Sequence, residues 1–123
     1  MKRGELIALG VVMALAFGAG QWMRGSRAPG TPEQAAELRS LLQQGGRAPL
    51  EMISSTHCVY CTKARQWLTE HRVPFQECFI ETDAACRQRY VQAGAMATPT
   101  FVVGKSVVLG LDVPRLAQLL QTQ

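Results

Sequence analysis

Residues 50–61, LEMISSTHCVYC, decide the fold, because they join a predicted strand to a pair of cysteines at the start of a predicted helix. The letters LEMIS predict a strand over residues 50–54. The letters after the cysteines predict a helix over residues 62–71 with one apolar face. The core-facing residues of this helix are Ala64, Trp67, Leu68 and His71. Cys58 and Cys61 therefore lie where the strand ends and the helix begins.

The predicted position of Cys58 favours a reactive thiol. The first turn of a helix has unpaired N–H groups and the positive end of the helix dipole, and both stabilise a thiolate. The thiolate is the nucleophile in thiol chemistry. Two intervening residues allow Cys61 to close a disulfide with Cys58 or to release a mixed disulfide. We predict that Cys58 attacks and Cys61 resolves. His57 could stabilise negative charge when protonated, but we expect an exposed loop residue.

A Cys-x-x-Cys pair also occurs in zinc sites, which need two further ligands at matched spacing. Cys78 and Cys86 are separated by seven residues, and the sequence holds no second Cys-x-x-Cys motif. His57 and His71 are the two histidines that remain as donors. We therefore expect no metal, and a site that uses these histidines stays open as the alternative.

Cys78 and Cys86 form a second pair close in sequence. Cys78 lies near the end of a predicted strand and Cys86 lies in the first turn of the next predicted helix, so the short loop permits a bridge. Outside the cytoplasm a structural disulfide is favoured, and it would contribute about 2–3 kcal/mol to stability. A second redox couple that passes electrons to the first pair, or two inert buried thiols, are the alternatives.

The rest of the chain alternates predicted strands and helices. The strands are at residues 73–80, 100–103 and 106–109, and the helices are at residues 82–93 and from residue 112 onward. Gly104-Lys105 is typical of a hairpin turn. Asp112 is expected to cap the last helix, which has Pro114 in its first turn. The order β-α-β-α-β-β-α predicts an α/β fold with a four-stranded mixed sheet.

Thr31, Pro32 and Gln34 predict a further helix before the first strand. They supply an N-cap, a proline in the first turn and the capping-box partner. Gly45-Gly46 is expected to end this helix. Its apolar positions are Leu38, Leu41 and Leu42. The helix either packs on the domain or separates the domain from the preceding segment.

The start of the chain has the pattern of a membrane segment. Residues 6–23 are apolar or small except for one glutamine, and roughly 20 such residues span a bilayer. A retained signal anchor is favoured over a signal peptide cleaved near residues 18–20. Lys2 and Arg3 are expected to stay on the cytoplasmic side of the membrane. The remainder would then lie outside the cytoplasm, in the periplasm, either anchored or as a cleaved soluble form.

The net charge of +4 is unevenly distributed. Residues 1–30 hold four basic residues and one acidic residue, which leaves nine basic and eight acidic residues for the rest. The folded part therefore has no basic excess of the kind that nucleic-acid binding requires. The length allows one domain. We expect a membrane segment over residues 1–24, a linker and leading helix over residues 25–47, and the domain over residues 48–123.

Four motifs together resemble the glutaredoxin branch of the thioredoxin superfamily over residues 49–121. They are THCVYC after the first strand, VPF at the start of the second, ATPTFVV before the hairpin and VVLGLD before the last helix. The resemblance implies a thioredoxin-like fold of the glutaredoxin type. It also implies a thiol–disulfide oxidoreductase with Cys58 and Cys61 as catalytic residues, and a cis Thr98–Pro99 bond beside Cys58.

The resemblance further implies a set of substrate-binding residues. They are Tyr60, Thr98, Pro99, Gly110 and Asp112. Thr98 would offer its backbone groups to an extended substrate, and Tyr60 matches the family's aromatic residue between the cysteines. Gly110 stands where the family has a pair of glycines after the last strand. Asp112 could meet the amino group of glutathione.

The sequence departs from the family pattern at two places. Val59 stands where the family usually has proline, and Ser54 and Ser55 stand where many members have a lysine that binds the glutathione carboxylate. We expect no bound cofactor, a protein or small-molecule disulfide as substrate, and glutathione or a protein dithiol as external reductant. We expect a monomer that binds no nucleic acid. The alternative is a non-catalytic module of the same fold that binds a metal or a partner peptide.

Overall fold

Four short strands form one mixed sheet in the computed structural model, which describes residues 29–123. The strands are β1 (Leu50–Ser54), β2 (Gln76–Phe79), β3 (Thr100–Val103) and β4 (Ser106–Leu109). Their spatial order is β2-β1-β3-β4. β1 is parallel to β2, and the pairs β1–β3 and β3–β4 are antiparallel. A helix connects the parallel pair and a tight turn connects the last two strands, as these geometries require.

Four helices flank this sheet in the described part of the chain. They are α1 (Pro32–Gln43), α2 (Val59–Glu70), α3 (Ala84–Gln92) and α4 (Val113–Gln121). After α1, the element order is β1-α2-β2-α3-β3-β4-α4. This order confirms the predicted α/β fold with a four-stranded mixed sheet.

Side-chain caps explain where the helices begin. Thr31 accepts a hydrogen bond from the Gln34 N–H, and the Gln34 side chain accepts one from the Thr31 N–H, so the predicted capping box is present. Asp83 caps α3, and Asp112 caps α4 through the Arg115 N–H at 3.1 Å. Caps of this kind satisfy N–H groups that have no partner within the helix.

The prediction for α2 was wrong by three residues at its start. The helix begins at Val59 instead of residue 62, because Cys58 is its N-cap and the Cys58 sulfur accepts the Cys61 N–H at 3.1 Å. Cysteine is outside the usual set of capping residues, so the sequence pattern did not indicate this start. Both cysteines are consequently part of the helix terminus.

The prediction for β2 was too long. Pairing with β1 covers Gln76–Phe79 and not all of residues 73–80. The Val73 N–H donates to the Leu68 carbonyl at 2.9 Å and so belongs to the end of α2. Pro74 has no N–H to give to a strand ladder. The strand can therefore begin only after these two residues.

The main hydrophobic core lies between one face of the sheet and α1, α2 and α4. Leu38 and Leu41 of α1 are buried in it, so the leading helix packs on the domain instead of standing apart as a spacer. Residues from the sheet and the other two helices complete the core. Its largest fully buried members are Phe101, Leu38, Leu50, Met52, Leu68, Leu116 and Leu120.

The opposite face of the sheet is covered by α3. Side chains alternate along a strand, so Glu51 and Ile53 of β1 face away from the main core. A disulfide joins Cys78 of β2 to Cys86 of α3, with Cα atoms 5.9 Å apart. Cys86 is fully buried, and α3 has no other buried residue.

The proposed membrane segment falls outside the described residues. Among residues 29–123, none of the helices combines the length and the apolar character that a membrane crossing needs. The anchor over residues 1–24 and most of the linker after it stay predictions from the sequence.

Candidate active site

Cys58 and Cys61 form a disulfide at the N-terminus of α2, with Cα atoms 5.2 Å apart. Cys58 is half-buried, whereas Cys61 is 0% exposed. An external thiolate or disulfide can therefore reach Cys58 but not Cys61. In the reduced state the Cys61 N–H would point at a Cys58 thiolate, which is the charge-assisted arrangement that favours an anionic sulfur.

The loop before β3 lies against Cys58. The Thr98–Pro99 peptide is cis, as the resemblance implied. The Thr98 carbonyl oxygen lies 3.5 Å from Cys58 Sγ. In the disulfide state this is a contact and not a hydrogen bond, since the sulfur carries no proton. A Cys58 thiol could donate to the same oxygen. The Gly110 N–H donates to the Pro99 carbonyl at 2.8 Å and so fixes this loop to the end of β4.

A groove of about 650 Å³ runs along α2 next to the loop that contacts Cys58, and neither Cys58 nor Cys61 lines it. Its walls come from α2, from the loop that contains the cis proline and from the segment after β4. Four of the predicted substrate-binding residues contribute to these walls, namely Tyr60, Thr98, Pro99 and Gly110. Lys63 and Glu70 of α2 give the groove one charge of each sign, and Pro29 forms part of the wall where the described chain begins.

Asp112 is placed differently from the other predicted binding residues. It does not line the groove. Its carboxylate accepts the Arg115 N–H and so caps α4. The structure therefore shows a helix-capping role for Asp112.

The surface beside the redox pair is apolar and exposed. Val59 and Tyr60, between the two cysteines, are 68% and 73% exposed, and Leu109 at the groove wall is 63% exposed. Met96, two residues before Thr98, is 91% exposed. Apolar side chains exposed beside a reactive group are typical of a surface that receives another molecule.

Glu81 holds the loop that leads into Cys58, a role that the sequence did not indicate. Its carboxylate accepts hydrogen bonds from the Ser55 hydroxyl and from the Thr56 N–H, the latter at 3.1 Å. The Ser55 hydroxyl is the main cause that lowers the pKa of Glu81, and the Thr56 N–H and the charge of His57 act in the same direction. The parallel register of β1 and β2 brings Glu81 to this loop, because both strands end at the same edge of the sheet.

Glu77 joins α2 to the sheet directly behind the redox pair. Arg65 of α2 donates to the two Glu77 carboxylate oxygens at 2.6 and 3.1 Å, and the buried Ser54 hydroxyl donates to Glu77 at 2.9 Å. The hydrogen bond from Arg65 to Glu77 raises the pKa of the Arg65 guanidinium. Ser54, which stands in the region of the family's lysine, is therefore committed to an internal contact.

The two histidines lie at opposite ends of α2. His57 is exposed and its Nδ1 lies 3.1 Å from the Thr56 hydroxyl. His71 is half-buried, caps the far end of α2 and stacks on Trp67 with ring centroids 4.3 Å apart. Between residues 29 and 123 no three side chains of the His, Cys, Asp or Glu type gather as a metal site would require.

The second disulfide lies on the other face of the sheet from α2. Cys78 is half-buried and Cys86 is fully buried. Cys78 Sγ lies 3.6 Å from Arg89 Nη2 and 3.6 Å from Glu51 Oε1. Arg89 and Glu51 also form an ion pair, with an N–O distance of 2.8 Å.

Comparison with known proteins finds one family model and several solved structures that resemble this chain. The family model described as glutaredoxin matches residues 50–108. The solved thioredoxin-like protein BC3987 is 30% identical, with a TM-score of 0.50, and the match covers 57% of this chain and 97% of that one. A mutant of the same protein is 29% identical, with a TM-score of 0.52, and the match covers 60% of this chain and 96% of that one.

A more distant likeness is to a buckwheat glutaredoxin solved as a glutathione complex. It is 19% identical with a TM-score of 0.47, and the match covers 76% of this chain and 96% of that one. That level of similarity supports no statement about function. No curated protein matches this chain.

Proposed function

Because the chain belongs to the thioredoxin superfamily and carries a glutaredoxin-like domain, we propose that it is an enzyme that exchanges thiols and disulfides through Cys58 and Cys61. The observation that carries the proposal is the difference in exposure between the two bonded cysteines. The half-buried Cys58 lies at the helix N-terminus against Thr98, which lines the groove, whereas Cys61 is fully buried.

The reaction follows from this arrangement. In the reduced enzyme the Cys58 thiolate attacks one sulfur of a substrate disulfide, and the other substrate sulfur leaves as a thiolate that takes up a proton. Cys61 then loses its proton and attacks the Cys58 sulfur in the mixed disulfide. The second substrate thiol is released, and the Cys58–Cys61 disulfide remains. Two electrons have passed to the substrate, and the reverse sequence oxidises a dithiol.

We propose a polypeptide segment or a small disulfide as the substrate. The apolar side chains of Val59, Tyr60 and Leu109 around the pair support a polypeptide, and the Thr98 backbone beside Cys58 supports an extended segment. The external reductant would be glutathione or a protein dithiol. The proposed location, outside the cytoplasm and attached through residues 1–24, is supported by the sequence pattern alone.

The first experiment is the reduction potential of the full-length chain in graded thiol/disulfide buffers, with the state of each cysteine read by mass spectrometry. A two-electron couple for Cys58 and Cys61 between about −200 and −270 mV would indicate a reductase, and a value of about −120 to −180 mV would indicate an oxidant or isomerase. A pair with no reversible couple would contradict the proposal. A non-catalytic module that binds a metal or a peptide would then be the better interpretation.

A further inference from the structure

We propose that the Cys78–Cys86 bond is a second, regulatory redox couple, whose reduction releases α3 from the sheet and weakens the Cys58–Cys61 site. The effect on catalysis rests on the proposed function. The release of α3 does not depend on it.

The attachment of α3 to the sheet depends on this bond. Cys86 is the only buried residue among the nine of α3. The polar contacts are exposed, since Arg89 pairs with Glu51 and the Arg87 Nε donates to the Ile80 carbonyl at 2.9 Å, and Tyr90 is half-buried. Exposed pairs of this kind contribute little to stability. Without the bond, α3 would therefore be held by exposed polar contacts and the half-buried Tyr90.

The two segments that flank α3 both reach the Cys58–Cys61 site. Before α3, Glu81 holds Ser55 and Thr56 in the loop that leads to Cys58. After α3, the chain continues to Thr98, whose carbonyl oxygen lies 3.5 Å from Cys58 Sγ. A displacement of α3 would therefore disturb the redox pair from both sides. This continuity of the chain couples the second disulfide to the first.

The exposure of the two sulfurs decides how the bond would open. Cys78 is half-buried and Cys86 is 0% exposed, so a thiolate from an external dithiol attacks Cys78. The Cys78–Cys86 bond breaks as the new bond to Cys78 forms. Cys86 leaves as a thiolate in the first turn of α3, where the helix dipole favours negative charge, and then takes up a proton.

The second thiol of the reductant completes the reaction. It attacks the sulfur of the reductant that is bonded to Cys78. Cys78 is then freed as a thiolate, and the reductant leaves as a disulfide. Two electrons have moved from the dithiol to the protein. The Arg89 guanidinium, 3.6 Å from Cys78 Sγ, stabilises the Cys78 thiolate, although Glu51 at the same distance offsets part of this effect.

The test uses the full-length chain with Cys58 and Cys61 both replaced by serine, so that only the second pair can react. The protein is equilibrated in graded dithiothreitol buffers, its thiols are alkylated and counted, and hydrogen exchange is measured on the same samples. We expect the bond to open while β1 and α4 keep their protection, with exchange accelerated only over residues 81–98. Reduction that occurs only together with loss of protection in β1 and α4 would make the bond a structural staple and overturn the inference.

A second variant links the bond to catalysis. The pair Cys78→Ser and Cys86→Ala removes the bond without placing a hydroxyl at the buried position. We expect its turnover of a disulfide substrate to fall roughly tenfold, because small displacements of catalytic groups have effects of this size or larger. Unchanged turnover would refute the regulatory role. If the unaltered protein shows no turnover at all, the proposed function fails while the hydrogen-exchange result still decides whether α3 is released.

Discussion

Arg65 and Glu77 connect the helix that carries Cys61 to the neighbouring strand through two hydrogen bonds, at 2.6 and 3.1 Å. The same carboxylate accepts from the buried Ser54 hydroxyl at 2.9 Å. Glu77 therefore satisfies two donors from two different elements. The Glu77 side chain is 14% exposed, against 21% for Glu51 in the other ion pair.

Glu77→Gln should reduce the free energy of unfolding by about 1–2 kcal/mol, because charge-assisted bonds from Arg65 are replaced by weaker neutral ones. Glu51→Gln is the matched control at the more exposed pair with Arg89, and its loss should stay below about 1 kcal/mol. Urea denaturation of the oxidised proteins measures both values. Equal losses would mean that the Arg65–Glu77 contact contributes no more to stability than the more exposed Arg89–Glu51 pair.

Cys61→Ser should trap mixed disulfides, because Cys58 can still attack but nothing inside the protein can resolve the product. Cys58→Ser should abolish turnover and trap nothing, since the buried Cys61 cannot be reached from solution. Electrophoresis without reductant, followed by mass spectrometry of the trapped adducts, separates the two. Full activity in the Cys58→Ser protein would refute the assignment of the nucleophile.

Gly110→Ala should lower the free energy of unfolding by about 1–2 kcal/mol, since the residue has a φ of +73°, where a side chain is strained. It should also weaken substrate binding, because its N–H positions Pro99 at the groove. Gly46→Ala is the matched control, with a φ of +85° in the loop after α1, away from the groove. We expect a similar stability loss there with KM unchanged. Equal KM values in both proteins would show that Gly110 does not contribute to substrate binding at the groove.

Asp112→Ala should cost about 1 kcal/mol of stability through loss of the α4 cap, whereas Asp112→Asn should cost little because asparagine caps equally well. Asp112→Asn also removes the charge that would meet a glutathione amino group. Since Asp112 does not line the groove, we expect KM for glutathione to stay the same in Asp112→Asn. A several-fold rise in KM would support the binding role that the family resemblance implies.

Acid should loosen the loop before Cys58. The pKa of Glu81 is lowered in the folded protein, so its stabilising contribution is present above the ordinary glutamate pKa and is lost as the pH falls through the lowered value. The amide proton of Thr56, which donates to Glu81, should report this titration by NMR. We expect a midpoint below that of an unperturbed glutamate and no such transition in Glu81→Gln. An ordinary midpoint would contradict the hydrogen bonds to Ser55 and Thr56.

Local signals were sufficient for most of the fold. Short apolar and β-branched runs predicted β1, β3 and β4, and the N-caps Thr31 and Asp112 were predicted because their side chains can satisfy backbone donors within the next three residues. The Cys-x-x-Cys pair was likewise predicted to lie at the junction of β1 and α2. These features depend only on neighbours in sequence, which is why a single sequence contains them.

The roles of Glu77 and Glu81, which the sequence did not predict, depend on contacts between residues far apart in the chain. Glu77 lies within β2 and Glu81 lies two residues after it, and nothing nearby in sequence distinguishes their charged side chains from solvent-exposed ones. Their roles follow from the parallel register of β1 and β2, which brings Ser54 and Ser55 to them. The start of α2 at Val59 was missed for a local reason, because its capping atom is the Cys58 sulfur. The resemblance to a family supplied the cis Thr98–Pro99 bond, which no local pattern specifies.

Pro29 forms part of the groove wall, so the described chain enters the domain at this groove. If residues 1–24 form the predicted anchor, the five Cα–Cα steps from residue 24 to Pro29 span at most about 18 Å. The groove would then open close to the bilayer surface. Partners confined to the same membrane would meet it at a high effective concentration, whereas freely diffusing partners would compete at their bulk concentration. Attachment alone could thus select substrates among proteins that present the same disulfide chemistry.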